Sequence, residues 1–130
     1  MKKTVVLLTA IVFFSALHAQ NLQKQLQGKT FHRTFYALGF KHEAWYTFKA
    51  NKVIYRVEGF FVTDSYEITG KYQSGRFVGI DPESKQHYVI HIKILSPQKI
   101  LISKEGVDPK YKSILTDKPV KGWHEYELVK

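Results

Sequence analysis

The sequence predicts an all-β protein: an eight-stranded antiparallel up-and-down barrel preceded by a short N-terminal helix. Apolar and polar residues alternate with period two in eight short segments rich in β-branched and aromatic side chains, as is typical of half-buried strands. Turn-forming residues and short links separate these segments, as in consecutive hairpins. Closure of eight such strands buries every apolar face and removes exposed edges. A β-sandwich is the alternative, but its Greek-key crossings need longer connections.

The first nineteen residues are predicted to be a secretory signal peptide. Lys2 and Lys3 supply a positive start, Val5 to Phe14 is almost unbrokenly apolar, and Ala19 ends a stretch of small residues. This apolar run is shorter than the roughly 20 residues of a bilayer-spanning helix. We therefore expect cleavage after Ala19, a barrel domain over residues 20–130, no membrane span after cleavage, and a periplasmic or secreted protein.

Composition narrows the classes of function. Without Lys2 and Lys3 the chain carries 18 basic and 11 acidic residues, a formal charge of +7 over the remaining 111 residues. The basic residues are scattered rather than clustered, so we expect no nucleic-acid partner. The sequence has no cysteine. A lipid-modified N-terminal cysteine, a disulfide, a zinc–thiolate site and a cysteine nucleophile are therefore all excluded.

The helix and the first four strands are predicted from the spacing of their apolar residues. Leu22 and Leu26 lie four residues apart, which predicts a short helix before the first strand. Each of the next four strands presents alternate side chains to the barrel interior. In chain order these are Phe31, Phe35 and Ala37; Ala44, Tyr46 and Phe48; Val53, Tyr55 and Val57; and Val62, Tyr66, Ile68 and Tyr72.

The remaining four strands follow the same rule. Residues 75–80 form a strand whose inward positions are ambiguous from the sequence. The inward residues of the other three are Tyr88, Ile90, Ile92 and Ile94; Ile100 and Ile102; and Tyr126 and Leu128. A second helical segment, "DPKYKSIL", is expected within the long connection from about Glu105 to Lys121.

Two histidines in the stretch "QHYVIHIKIL" have the spacing of a metal-ligand pair on a helix. On a strand, which advances about 3.3 Å per residue, His87 and His91 lie about 13 Å apart. They share the outward face with Val89 and Lys93, opposite the isoleucines. We therefore expect two surface histidines and no metal site.

Several segments of the chain resemble the lipocalin-like family of small exported bacterial proteins. "LQGKTFHRTF", after a short helix, is similar to the Leu-x-Gly-x-Trp opening of that family, with Gly28 at the glycine and Phe31 one place after the Trp position. "WYTFKANKVIYRV" resembles the second and third strands of its members, and "YEITGKYQ" and "YELVK" fit the same layout. The resemblance implies a β-barrel that binds a small apolar molecule.

Arg33 is the first candidate binding residue. It shares the inward face of Phe31 and Phe35. There its guanidinium offers a fork of donors to a ligand carboxylate or another anion, together with the hydroxyls of tyrosines such as Tyr66 and Tyr88. The alternative is that Arg33 lies near an open end and reaches water, or pairs with Asp64.

The tyrosines and one phenylalanine complete the candidate site. Many inward phenols suit a cavity with water or a polar-ended ligand, and they equally suit the ends of a filled barrel. Gly59-Phe60-Phe61 falls at a hairpin turn, and two adjacent phenylalanines cannot both face inward, so one ring is expected to be exposed. An exposed ring there marks a portal or a partner contact, and the alternative is a phenylalanine folded over the barrel end as a lid. The predicted ligand-binding residues are Arg33, Tyr46, Phe48, Tyr66, Tyr88, Ile90, Ile92 and Phe61.

The sequence thus predicts a monomeric, exported binding protein that holds a small hydrophobic or amphipathic ligand inside the barrel. The alternative is a filled barrel whose outside, with Trp45, Trp123 and Phe61, contacts another protein of the cell envelope. No nucleophile elbow, His-Glu-x-x-His pattern or phosphate loop is present, so we expect neither an enzyme nor a cofactor. A hydrolase would require His32, His42 and a carboxylate to gather in one pocket.

Overall fold

The computed structural model describes residues 21–60, 62–107 and 122–130. A short helix, α1, covers residues 21–26, and eight strands follow it. The strands are β1 (Thr30–Ala37), β2 (Phe40–Phe48), β3 (Lys52–Gly59), β4 (Thr63–Gln73), β5 (Arg76–Ile80), β6 (His87–Ser96), β7 (Lys99–Val107) and β8 (His124–Leu128). The predicted helix "DPKYKSIL" lies outside the described residues.

The strands form one closed antiparallel barrel in the order of the chain. Each strand pairs with its neighbour in sequence, and β8 returns to β1 through the register Phe31↔Leu128 and His32↔Glu127. Two sheets packed face to face are therefore ruled out. The predicted eight-stranded up-and-down barrel with its leading helix is confirmed.

The barrel has two different ends. The helix end carries α1 and the turns β2–β3, β4–β5 and β6–β7, whereas the far end carries β1–β2, β3–β4 and β5–β6. The backbone N–H of Gly28, just after α1, donates a hydrogen bond to the carbonyl oxygen of Phe48, the last residue of β2, at 2.8 Å. Leu22 and Leu26 are buried in the core, as their spacing predicted.

The inward positions form the hydrophobic core. Alternation along the strands places apolar side chains inside, and Phe77 settles the orientation of β5, because this ring is fully buried. Gly70 and Gly79 oppose each other on β4 and β5. A Cβ atom on either glycine would overlap the backbone of the opposite strand, so glycine is required for this close approach.

One prediction about the outer face is wrong. His91 points outward, but only 3% of its surface is exposed, and the neighbouring Val89 is buried too. The His91 ring packs against the ring of Trp123 at 6.3 Å, and its Nε2 lies 4.0 Å from a carboxylate oxygen of Glu105. Alternation tells which side of the wall a residue faces, but not whether that side is covered.

The β1–β2 turn holds an unusual residue. Leu38 and Gly39 connect the paired residues Ala37 and Phe40, and both have positive φ, 54° and 80°. This is the backbone of a type I′ turn, in which asparagine and glycine are favoured because branched or bulky side chains are strained there. Leu38 is 97% exposed, so no packing compensates for this strain.

We predict that Leu38→Asn stabilises the fold by about 1 kcal/mol, because asparagine tolerates the left-handed conformation that leucine resists. Denaturant unfolding followed by circular dichroism measures the change. Gly39→Ala is the matched control and is expected to destabilise, since no atom lies within 4 Å of its added Cβ and only backbone strain remains. An unchanged or lower midpoint for Leu38→Asn contradicts the assignment.

Candidate ligand-binding site

Five tyrosines form a continuous aromatic layer inside the barrel, which we call the tyrosine layer: Tyr46, Tyr55, Tyr66, Tyr88 and Tyr126. The register aligns Tyr46 with Tyr55 and Tyr55 with Tyr66 on adjacent strands. Successive ring centroids lie 5.1 Å apart from Tyr126 to Tyr46, then 5.0, 5.2 and 5.4 Å apart through to Tyr88. Cross-strand pairing therefore builds the middle of the layer, and Tyr126 and Tyr88 extend it from β8 and β6, which do not pair with β2 or β4.

Lys104 reaches into this layer from β7. Its Nζ lies 3.3 Å from the ring centroid of Tyr55 and 4.7 Å from that of Tyr66, with Tyr88 and Tyr46 at 5.7 and 6.0 Å. The Nζ also donates a hydrogen bond to the Tyr66 hydroxyl. The negative faces of these rings stabilise an ammonium ion that has lost part of its water.

Lys104 was not among the predicted site residues, although its position on β7 follows from the alternation. Ile100 and Ile102 face inward, so the residue two positions later on the same strand faces inward as well. The register confirms this, because Lys104 lies opposite the fully buried Ile90. A prediction that follows only apolar residues stops at Ile102.

Arg33 supplies a second cation to the same region. Its guanidinium carbon lies 4.8 Å from the ring centroid of Phe35, and the guanidinium lies near enough to the Tyr126 phenol to oppose the rise of its pKa. Its partner across the β1–β2 pair is Ala44, whose small side chain leaves room for the arginine. Asp64, the alternative partner, is exposed at the far end and makes no ion pair with Arg33 in the described part of the chain.

Burial raises the pKa of four phenols of the tyrosine layer, those of Tyr46, Tyr55, Tyr66 and Tyr126. It raises the pKa of Tyr55 to about 12 and that of Tyr66 well above its ordinary value, where a hydrogen bond to Tyr88 adds to the effect. Burial also raises the pKa of Tyr46 and Tyr126, while Arg33 opposes the change at Tyr126. At neutral pH this layer therefore offers hydroxyl donors beside two cationic side chains, a combination that suits an anion.

The helix-end half of the interior is closely packed. Phe31, Phe48, Ile68, Ile100 and Ile102 have at most 1% of their surface accessible. Side chains without accessible surface cannot line a space large enough for a water molecule. The far-end half differs, because the inward residues there keep partial exposure: Arg33, Phe35, Tyr55, Val57, Tyr66, Tyr88 and Lys104.

The predicted site residues therefore fall into three groups. Arg33, Tyr46, Tyr66 and Tyr88 come together in or beside the tyrosine layer. The apolar residues Phe48, Ile90 and Ile92 face inward in the packed core. Phe61 lies outside the described residues. No ligand contact is tested for any of these residues, so their binding role stays a prediction.

His32 and His42 do not lie in one pocket. His32 lies on the outer wall, where its Nε2 is 3.1 Å from a carboxylate oxygen of Glu43, whereas His42 stacks on the inward ring of Phe35 at 5.2 Å. Within the described residues no group of three or more His, Asp or Glu side chains is arranged to hold a metal ion. The described part also contains no helix that is long and apolar enough to cross a bilayer.

Two openings lie away from the tyrosine layer. A cleft of about 210 Å³ lies at the helix end between α1 and the β6–β7 turn, lined by Leu26, Ile94 and Pro97 among others. A groove of about 320 Å³ crosses the outer wall of β1 to β4 and is lined by Trp45 and Arg56, whose guanidinium carbon lies 4.3 Å from the Trp45 ring centroid.

Comparison with known proteins assigns no family to the chain. No family model, no curated protein and no solved structure matches it. The structure itself establishes a closed eight-stranded antiparallel barrel, which is consistent with the lipocalin-like fold that the resemblance implied. Descent from that family stays a prediction.

We predict that the tyrosine layer makes the fold sensitive to alkali. Because the folded-state pKa of Tyr55 is raised from 10.0 to about 12, its contribution to the free energy of unfolding is complete below pH 10. It is lost as the pH rises from 10 to 12, since only the unfolded chain releases the proton in that interval. Chemical unfolding at several pH values measures this loss.

Tyr55→Phe is expected to flatten that decline, because it removes one phenol that titrates. Tyr36→Phe is the control, since Tyr36 is exposed and lies outside the tyrosine layer. If both variants follow the wild-type curve, the Tyr55 hydroxyl is not buried as the structure shows.

Proposed function

We propose that the protein is an exported lipocalin-like binding protein that holds a small amphipathic anion in the far-end half of its barrel. The observation that supports this most directly is the pair of cations, Lys104 and Arg33, set inside an aromatic layer that keeps partial access to solvent. Inward cations and phenols are costly in a barrel that serves only as a packed core. A bound anion adds charge-assisted hydrogen bonds to both.

The packed half of the barrel limits what the ligand can be. Phe48 and Ile68 leave no space beneath the tyrosine layer for a long acyl chain. The charged group therefore lies beside Lys104 and Arg33, and the apolar part points to the far end along Phe35 and Val57, which are only partly buried. A compact amphipathic molecule fits this arrangement.

The ligand site is tested by Lys104→Met, which keeps an unbranched side chain one atom shorter and removes its charge. Loss of one charge-assisted contact, worth about 1.5–3 kcal/mol, is expected to raise the Kd for a fluorescent anionic naphthalene sulfonate or a short fluorescent fatty acid by about 10- to 100-fold. Fluorescence titration measures the Kd.

Lys99→Met is the matched control. Lys99 lies on the same strand but on the outer wall, half exposed beside Glu127, so its loss is expected to leave the Kd unchanged. Absence of binding to the wild-type protein, or an equal effect of both substitutions, contradicts the proposed site.

Export is the second part of the proposal, supported by Lys2, Lys3 and the apolar run up to Phe14. We predict that the protein recovered from the periplasm or medium of a bacterial host begins at Gln20. N-terminal sequencing measures this. Recovery of the intact chain from the cytoplasm alone contradicts export.

The outer groove favours one alternative, an interaction module of the cell envelope. Trp45 stacked beneath Arg56 is the type of pairing that anchors protein interfaces. The fluorescence titration with anionic ligands distinguishes the binding protein from the interaction module. A barrel that binds neither fluorescent anion, while keeping its fold, would leave the groove as the better-supported site.

A further inference from the structure

An exposed apolar patch stands at the far end of the barrel. We propose that it docks the protein onto the surface of a lipid bilayer that contains anionic headgroups. We call the patch the far-end tips. It comprises exposed side chains of two hairpins, β1–β2 and β3–β4: Tyr36, Leu38, Phe40, Phe60 and Val62.

The two hairpins form one patch rather than two separate ones. The rings of Phe40 and Phe60 stack with centroids 4.8 Å apart and planes 8° from parallel. Phe60 nevertheless keeps 68% of its surface exposed, and Leu38 in the neighbouring turn is 97% exposed. Large exposed apolar side chains collected at one end of a domain, two of them in ring contact, mark a contact surface.

Backbone strain at Leu38 supports a functional role for the patch. Leucine there carries a positive φ of 54° and gains no burial in return. Stability alone favours asparagine or glycine at this position. Strained residues that the fold does not need are found where function requires them. The exposed leucine at position 38 is therefore best explained by a surface into which its side chain inserts.

The chemistry of the tips fits a bilayer surface. No charged residue lies between Tyr36 and Phe40, and Lys41 follows at once. Aromatic rings and a leucine at a protruding apex suit insertion at the level of the headgroups. Without Lys2 and Lys3 the chain still has a formal charge of +7, which attracts it to anionic lipid.

A protein partner fits this patch less well. Stable protein interfaces use about 20–30 residues on each side, whereas the far-end tips offer five apolar side chains on two narrow turns. Partition into lipid needs only a few inserted side chains, because each one gains separately from leaving water. The size of the patch therefore favours a lipid surface over a second copy of the chain.

Docking at this end does not depend on the ligand site. The tips lie at the same end of the barrel as the partly exposed residues Arg33 and Tyr66, so a docked protein would face the source of an amphipathic ligand. Vesicle binding can nevertheless be measured without any ligand. The two proposals therefore succeed or fail separately.

The test uses the absence of cysteine in the chain. Leu38→Cys introduces a single thiol for an environment-sensitive fluorophore, and Leu95→Cys places the same label on an exposed leucine of β6 near the helix end. Vesicles of phosphatidylcholine with phosphatidylglycerol are then added. We expect a blue shift and quenching by lipid-attached nitroxides at position 38 but not at position 95.

Two results overturn the proposal. One is an equal fluorescence response of the labels at positions 38 and 95. Binding through residues 1–19 would give this result, because both variants share that segment. The other is a blue shift at position 38 that grows with protein concentration in the absence of vesicles, which indicates association with a second copy instead.

Unlabelled variants provide an independent measurement. Leu38→Asn is expected to lower the partition coefficient into the same vesicles by about tenfold, since one leucine no longer enters the interface, while Leu95→Asn leaves it unchanged. Because Leu38→Asn is expected to stabilise the fold, weaker vesicle binding cannot result from unfolding. Unchanged binding by this variant contradicts the proposal.

Discussion

The structure depends on one constraint: in a closed ring of antiparallel strands, every second side chain must point inward. A shift of one residue in any strand would exchange its inward and outward sets. Register pairs such as Tyr46↔Tyr55 and Ile90↔Lys104 follow from this rule. The core, the tyrosine layer and the two interior cations are therefore consequences of the same alternation, fixed by the apolar residues that surround them.

The two halves of the barrel interior contribute differently to the stability of the fold. The helix-end half, around Phe48 and Ile68, is packed without accessible surface and supplies stability through apolar burial. The far-end half holds Lys104 and Arg33, which are stabilised by ring faces and phenol oxygens rather than by burial. Polar groups of this kind are tolerated only where they are satisfied, which makes that half the place to expect recognition.

Much of the fold could be predicted from the sequence because period-two alternation is local. The inward orientation of Tyr66, Ile92 and Tyr126 could be predicted from the adjacent residues alone. The closed barrel could be predicted from the short links between strands. The burial of His91 could not be predicted, because what covers the outer wall is a tertiary property. The inward orientation of Lys104 could be predicted from the alternation, but its aromatic partners on four other strands depend on the strand register, which the sequence does not show.

The most direct test of the account is the NMR chemical shift of the Lys104 side chain. A methylene group beside an ammonium ion 3.3 Å from the Tyr55 ring centroid lies in the shielding cone of that ring. We predict ε-proton resonances shifted upfield from those of exposed lysines such as Lys99, with nuclear Overhauser contacts to the rings of Tyr55 and Tyr66. Resonances of Lys104 that match those of Lys99, without such contacts, would place the lysine in solvent and contradict the proposed site.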